Sequence, residues 1–311
     1  MGDAVRFPVP DIVRRRALGE SQSGLDWLAS LDELLESLER DWGLTIGQAM
    51  RGGSAAFVAE AKSGAGKSFI IKVSIPTTWA GRREAELLAA ANGKGYARLV
   101  RRDPERRAIL LEKLGARLDT MHLPYEQQID IMCATLLEAW MPVPIGTNYP
   151  NGATKANALG IDIVKMWQAM GQPCSQAVVD KALLYCRDRA AGYHPEAAIL
   201  AHGDPHPANI LAVPDTDPIQ FKFIDPDGLA IEPAYDLGVL LRAWHEGLDG
   251  RNAHDIARSH ARHLTTRTSV PAEAIWQWGF IERVSTGLAL MQLGQKTKGL
   301  EFLTLSEALL G

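Results

Sequence analysis

Prolines at 205 and 207 argue against a helix across the segment His202-Gly203-Asp204-Pro205-His206-Pro207-Ala208-Asn209. Proline lacks the backbone N–H a helix needs and pushes the residue before it toward extended geometry. Short apolar runs flank the segment: Ile199-Leu200-Ala201 leads in and Ile210-Leu211-Ala212-Val213 leads out. After the turn cluster Pro214-Asp215-Thr216-Asp217-Pro218, Phe221-Lys222-Phe223-Ile224 returns and ends at Asp225. The pattern predicts a loop between short strands followed by a hairpin. Asp204 and Asp225 are then expected at neighbouring strand ends, converging on one cleft.

An acid, an amide five residues on and a second acid at a strand end are the groups that phosphoryl transfer from Mg-ATP to a hydroxyl requires. The transition state of that reaction is loose, so an enzyme chiefly positions the acceptor oxygen and neutralises phosphate charge. Asp204 is assigned to orient the acceptor hydroxyl and accept its proton. The Asn209 side-chain oxygen and the Asp225 carboxylate are assigned to hold Mg2+, a hard cation that prefers oxygen. His202 and His206 raise a competing zinc reading, but two histidines four apart share a face only on a helix. His202 is read as a brace for the loop, and His206 stays undecided.

The first third of the chain supplies a candidate phosphate-holding sheet. Leu44–Met50, Phe57–Ala61 and Ser68–Val73 read as strands, with Arg51-Gly52-Gly53-Ser54 as a tight turn. Glycines there let backbone approach phosphate. Lys72 is the one cation in the apolar third strand, and a charge in such a strand demands partners, here a phosphate and a carboxylate. The helix predicted over Arg82–Ala91 offers Glu84 as that carboxylate, with Glu86 in reserve.

Ser63-Gly64-Ala65-Gly66-Lys67-Ser68 imitates a P-loop, but position 61, where the motif's first glycine belongs, is alanine. A P-loop also leads into a helix, whereas Phe69-Ile70-Ile71-Lys72-Val73 is strand-like. A glycine-rich hairpin turn is the better reading. A P-loop NTPase remains an alternative, as does a non-catalytic ATP-binding pseudokinase.

Taken together, Gly52-Gly53, Lys72, Glu84, Leu110-Leu111-Glu112-Lys113-Leu114, the two acidic segments above, and Glu232-Pro233-Ala234-Tyr235-Asp236-Leu237 resemble the aminoglycoside phosphotransferase family. More narrowly, Ile224-Asp225-Pro226-Asp227-Gly228 and Glu282-Arg283-Val284-Ser285-Thr286-Gly287-Leu288 are similar to its streptomycin 6-kinase and hydroxyurea kinase branch. The resemblance implies an α+β, protein-kinase-like fold. Residues 1–113 would form a nucleotide-binding lobe of N-terminal helix plus sheet, and 114–311 a larger, mainly helical catalytic and substrate-binding lobe. It further implies that Gly52, Gly53 and Ser54 lie over the ATP phosphates, and that Lys72 contacts the α- and β-phosphates while paired with Glu84. Backbone groups of Glu112 and Leu114 would bind adenine, Asp236 would hold the catalytic loop, and the acceptor would be an antibiotic such as streptomycin, or hydroxyurea. Lys113 departs from the arginine expected after the hinge glutamate, at a position where ATP binding uses backbone.

A protein substrate is disfavoured. Protein kinases carry arginine after the catalytic histidine. Here that residue is Gly203, and only six residues separate Asp225 from Glu232, too few for a regulated activation loop. The acceptor is therefore expected to be a small molecule, with Glu246 and Asp249 as possible acidic contacts for a polycation. A net charge of -4 gives no basic footprint for nucleic acid. No apolar run is long enough for a membrane span. Cys133, Cys174 and Cys186, without CxxC spacing, read as reduced thiols of a cytoplasmic protein. Helices are also expected over residues 20–40, Tyr125–Trp140, Gln176–Gly192 and Leu237–His245, with several more over 253–310 and a loop over Met141–Gly152.

Overall fold

The computed structural model describes residues 6–50, 53, 55–76, 79–248 and 251–310, without the side chains of Ser21, Trp79 and Ala80. Gly52, Ser54 and Asp249 lie outside the described residues. The chain divides into two compact units, residues 1–115 with 213–218, and residues 116–212 with 219–311.

The first unit opens with α1 (Asp11–Gly19) and α2 (Ser21–Trp42), where sequence predicts one helix over 20–40. The two are split at Glu20, whose extended backbone breaks the helical path. Gly43 ends α2 at φ 64, a left-handed position that favours glycine. The sheet follows: β1 (Leu44–Ala49), β2 (Ala56–Ser63), β3 (Ser68–Ser74), then α3 (Trp79–Ala91), β4 (Leu99–Asp103) and β5 (Ala108–Glu112). Its order is β1-β2-β3-β5-β4, all antiparallel.

Side chains alternate across a strand, and β3 obeys this: Phe69, Ile71 and Val73 are buried in one core with Trp27, Leu31, Leu35 and Leu38 of α2. Lys72 is thereby turned to the opposite face. Leu25 of α2, by contrast, is exposed. The P-loop imitation is a β2–β3 hairpin turn, closed by the Gly66 amide donating to the Ser63 carbonyl at 2.8 Å, with Gly66 at φ 80. A strand, β3, follows it, so the helix that a P-loop needs is missing.

The second unit contains α4 (Tyr125–Ala139), β6 (Met141–Pro142), α5 (Gly152–Ala169), α6 (Gln176–Ala191), and the short strands β7 (Ile199–Ala201), β8 (Ile210–Ala212), β9 (Phe221–Phe223) and β10 (Leu229–Ile231). Four helices complete it: α7 (Ala234–Ala243), α8 (Ala253–Thr268), α9 (Ala272–Gln292) and α10 (Lys296–Ala308). Sequence does not foresee α5, although Asn151 caps it by accepting from the Thr154 amide at 2.8 Å. Helix α9 is buried on every side from Ala274 to Val284 and is the centre of this unit. No helix among the described residues is long and apolar enough to cross a membrane. Burial pushes the Cys133 and Cys186 thiols up to about 12 and Cys174 to about 11, so all three stay protonated at neutral pH.

Burial also lowers His245 and His260 to about 4, helped by the charge of Arg283. Both rings are therefore neutral in the folded protein but gain a proton on unfolding below their ordinary value of 6.5. The unfolded state then binds more protons, so stability is full above that value and falls as pH drops toward 4. Because the rings are only partly buried, we expect a combined loss of about 1–2 kcal/mol between pH 7 and 5. Thermal melts across that range should show it, and His260→Asn should flatten the slope. An unchanged slope in that variant would count against the assignment.

Candidate active site

In the first unit, Lys72 reaches Glu84, with Nζ 2.8 Å from Oε1 and 2.7 Å from Oε2. Both side chains are largely buried, with 14% and 5% of their surface exposed. Glu86 instead pairs with Arg82 one turn away, at 3.0 Å. That face of α3 lines a cavity of about 620 Å³ together with Ser74, Gly81, Arg102 and Arg107. Of the described residues predicted to bind nucleotide, Gly53, Lys72, Glu84, Glu112 and Leu114, none lines it. At the end of β5 the Glu112 amide donates to the Arg98 carbonyl at 3.0 Å. Leu114 is buried, and Lys113 pairs with Glu60 at 2.8 Å. Gly53 is described without its neighbours Gly52 and Ser54, and among the described residues a Cβ there would meet Val58, at 3.8 Å.

In the second unit, Asp204 and Asp225 do not follow adjacent strands. Strand β7 pairs with β6 and β10, whereas β9 pairs with β8. The two loops are joined by hydrogen bonds instead. The Ile224 amide donates to the Asn209 carbonyl at 2.8 Å, and the Asp227 amide to the His202 carbonyl at 2.7 Å. His202 Nδ1 accepts from the Asp204 amide at 3.2 Å, which leaves the ring proton on Nε2 to donate to the Ile224 carbonyl at 3.0 Å. His202 is thus a fully buried brace between the loops.

Asp236, also fully buried, anchors the assembly from the first turn of α7. Oδ2 accepts from the His202 amide at 3.0 Å and Trp140 Nε1 at 2.9 Å, and Oδ1 from the Gly203 amide at 2.9 Å. Burial pushes its carboxyl up, and these three donors oppose that. Gly203 has φ 95, and a Cβ on it would come 2.8 Å from the Asp227 Cβ. The glycine that distinguishes this loop from a protein kinase is therefore required by its backbone.

Asp204 projects from the loop with 42% of its side chain exposed. Its Oδ1 accepts from Arg242 Nη2 at 2.9 Å, while Oδ2 lies 3.6 Å from His206 Nε2. Burial pushes the Asp204 carboxyl up, but Arg242 and His206 outweigh it and hold the group below the usual carboxylate range. Burial lowers His206 despite the nearby Asp204 and Asp225. The Asn209 amide nitrogen donates to the Asp204 carbonyl at 3.2 Å, which orients the side chain. Asp225 adopts φ 57, a left-handed conformation that aspartate tolerates better than most residues. Among the described residues no cluster of three or more His, Cys, Asp and Glu could hold a metal ion, and both ring nitrogens of His202 are taken by backbone groups. The donors at issue, one amide and one carboxylate oxygen, fit Mg2+, which takes one or two protein ligands and completes its shell with water and phosphate.

Residues 42–288 match the family described as Aminoglycoside/hydroxyurea antibiotic resistance kinase. The chain belongs to that family. Streptomycin 6-kinase of Streptomyces glaucescens is 25% identical to this kinase over 301 residues, covering 95% of this chain and 94% of that one. Choline kinase from Cryptosporidium parvum Iowa II superposes with a TM-score of 0.59 at 10% identity, covering 89% and 96% of the two chains. The GDP and kanamycin complex of APH(2")-IIia gives 0.59 at 16% identity, covering 88% and 96%. The kinase therefore has the protein-kinase-like α+β fold expected from its sequence.

Sequence reasoning assigned no role to four polar residues beside the loop of this kinase, Tyr235, Arg242, Glu282 and Thr286. Arg242 Nη1 donates to Glu282 Oε2 at 3.1 Å and Thr286 Oγ1 at 3.3 Å, and the Tyr235 hydroxyl donates to Glu282 Oε1 at 2.8 Å. One signal was present: Tyr235 and Arg242 stand seven apart on a helix whose only other polar residue is Asp236, a spacing that places them on one face.

Proposed function

We propose that this kinase transfers the γ-phosphate of ATP to a hydroxyl of a small antibiotic-like acceptor, an aminoglycoside such as streptomycin or else hydroxyurea. The observation that carries this reading is the loop suspended from Asp236, which presents Asp204 beside Asn209 and the strand end that carries Asp225. Asp204 holds the acceptor hydroxyl and takes its proton at Oδ2, since Oδ1 already accepts from Arg242. Asn209 and Asp225 hold Mg2+, which when bound neutralises charge on the phosphates. The first unit serves the nucleotide: Gly52, Gly53 and Ser54 cover the phosphates and Lys72, fixed by Glu84, contacts them. Because the Glu112 amide is engaged by Arg98, Leu114 supplies the N–H to adenine and Glu112 its carbonyl.

A second reading, a kinase for a neutral metabolite, is favoured by the Asp204–Arg242 pair. A carboxylate already matched to a guanidinium adds little attraction for an ammonium group. Glu246, exposed beyond α7, is the described acid that would favour a polycation. ADP release in a coupled assay, run against aminoglycosides, hydroxyurea and small alcohols, separates the two. If no compound stimulates release above background, the antibiotic reading loses its support. In the same assay Lys67→Ala should stay within about twofold of the parent protein, because an exposed turn substitution costs little. A large loss would revive the P-loop alternative.

A further inference from the structure

We infer that Arg242 is a positioning residue for the catalytic carboxylate, taking one oxygen of Asp204 and leaving the other, beside His206, as the edge that meets the acceptor hydroxyl. This rests on the reading of Asp204 as the base.

Arg242 is held from several sides. Its two terminal nitrogens serve different partners, Nη2 the Asp204 carboxylate and Nη1 the Glu282 carboxylate with the Thr286 hydroxyl. Glu282 is in turn fixed by the Tyr235 hydroxyl and is almost completely buried. A planar guanidinium bonded at both ends has little rotational freedom, so it sets the angle of the group it holds. Burial works against the Arg242 charge, and Glu282 and Asp204 more than restore it.

The two helices that carry this relay pack closely at two glycines. A Cβ on Gly238 of α7 would stand 2.5 Å from the Trp278 Cβ and 2.8 Å from the Gly279 nitrogen of α9. A Cβ on Gly279 would stand 2.8 Å from Leu241 Cδ2. With no side chain on Gly238 or Gly279, α7 and α9 approach closely and fix Arg242 against Glu282 far more firmly than a surface pair would be fixed. An exposed aspartate has three staggered χ1 choices and a broad carboxylate torsion. Removing that freedom before the acceptor arrives is the preorganisation from which positioned groups draw much of their effect.

Kinetics of the full-length protein with ATP and its best acceptor test this. Arg242→Met should lower kcat by about 10- to 100-fold, the scale of a misplaced reactive group, with the KM for ATP within twofold, about the effect of a neutral substitution. Arg242→Lys keeps the charge without the fork and should recover part of the loss. In an Asp204→Asn background, Arg242→Met should have no further effect on residual turnover, because it acts through the carboxylate. If Arg242→Met does not fold, Glu282→Gln, which removes the charge that steadies Nη1, should lower kcat by about 3- to 10-fold at unchanged KM for ATP. Unchanged kcat in the folded Arg242 variant, or an equal loss in the Asp204→Asn background, would overturn the inference while Asp204 keeps its role. Full turnover in Asp204→Asn alone would remove the base and the inference together.

Discussion

Replacing Asp204 with alanine should lower kcat by about 10²- to 10⁴-fold, the contribution of a positioned base, and should leave ATP affinity in place. The second half of that result carries the assignment. Asp204 hangs on a loop fixed by backbone bonds to Asp236 and by the His202 ring, so removing the side chain leaves the loop without a reason to collapse. Lys72 and Glu84 belong to the other unit, and the nucleotide contacts proposed for them do not involve the Asp204 carboxylate. Equilibrium titration with ATP, set beside the turnover of Asp204→Ala and Asp204→Asn, makes the separation. Retained turnover in both variants would sink the mechanism. Lost ATP binding in both would mean a structural role. A pseudokinase, by contrast, would lose nothing measurable in the cell.

The largest expected effect on stability belongs to Asp236. Alanine there leaves the His202 and Gly203 amides and the Trp140 indole N–H facing a buried space without an acceptor. Orphaned buried donors and broken buried networks are costly, so Asp236→Ala should destabilise the protein by about 3–5 kcal/mol. Urea unfolding reads this as a lower midpoint at unchanged slope. Asp236→Asn, which keeps one acceptor oxygen but turns an N–H₂ toward a donor, should fall between the two. A loss below about 1 kcal/mol for the alanine variant, no more than an average substitution costs, would mean that the loop is held by something else.

What sequence revealed here depended on how far apart the interacting residues lie. The Asp204–Asn209 segment could be read because its prolines, its turn residues and its acid and amide all fall within eight positions. Lys72 stood out because a cation in an apolar strand needs a partner, and Glu84 lies only 12 residues on. Arg242 did not stand out, because its meaning comes from Asp204, 38 residues earlier, and from Glu282, 40 later. Strand partners were misjudged for a related reason. Strands of three residues, such as β7 and β9, carry too little pattern to name their neighbours, and β7 pairs with β6 and β10, which no periodicity announced. Helix α5 escaped notice because its polar residues are interspersed among small ones, so its buried face, with Ala156, Gly160 and Ile163, is weakly drawn.

Helix α7 carries Asp236 in its first turn and Arg242 in its last. One end grips the backbone of the catalytic loop and the other grips the side chain that the loop presents. Six residues of α-helix span about 9 Å and hardly stretch, so the helix acts as a gauge bar between root and tip of the same segment. Small shifts of α7 should carry loop and carboxylate together as one piece, so drift by substitution in the surrounding helices can reshape what the kinase accepts before it disturbs how it reacts.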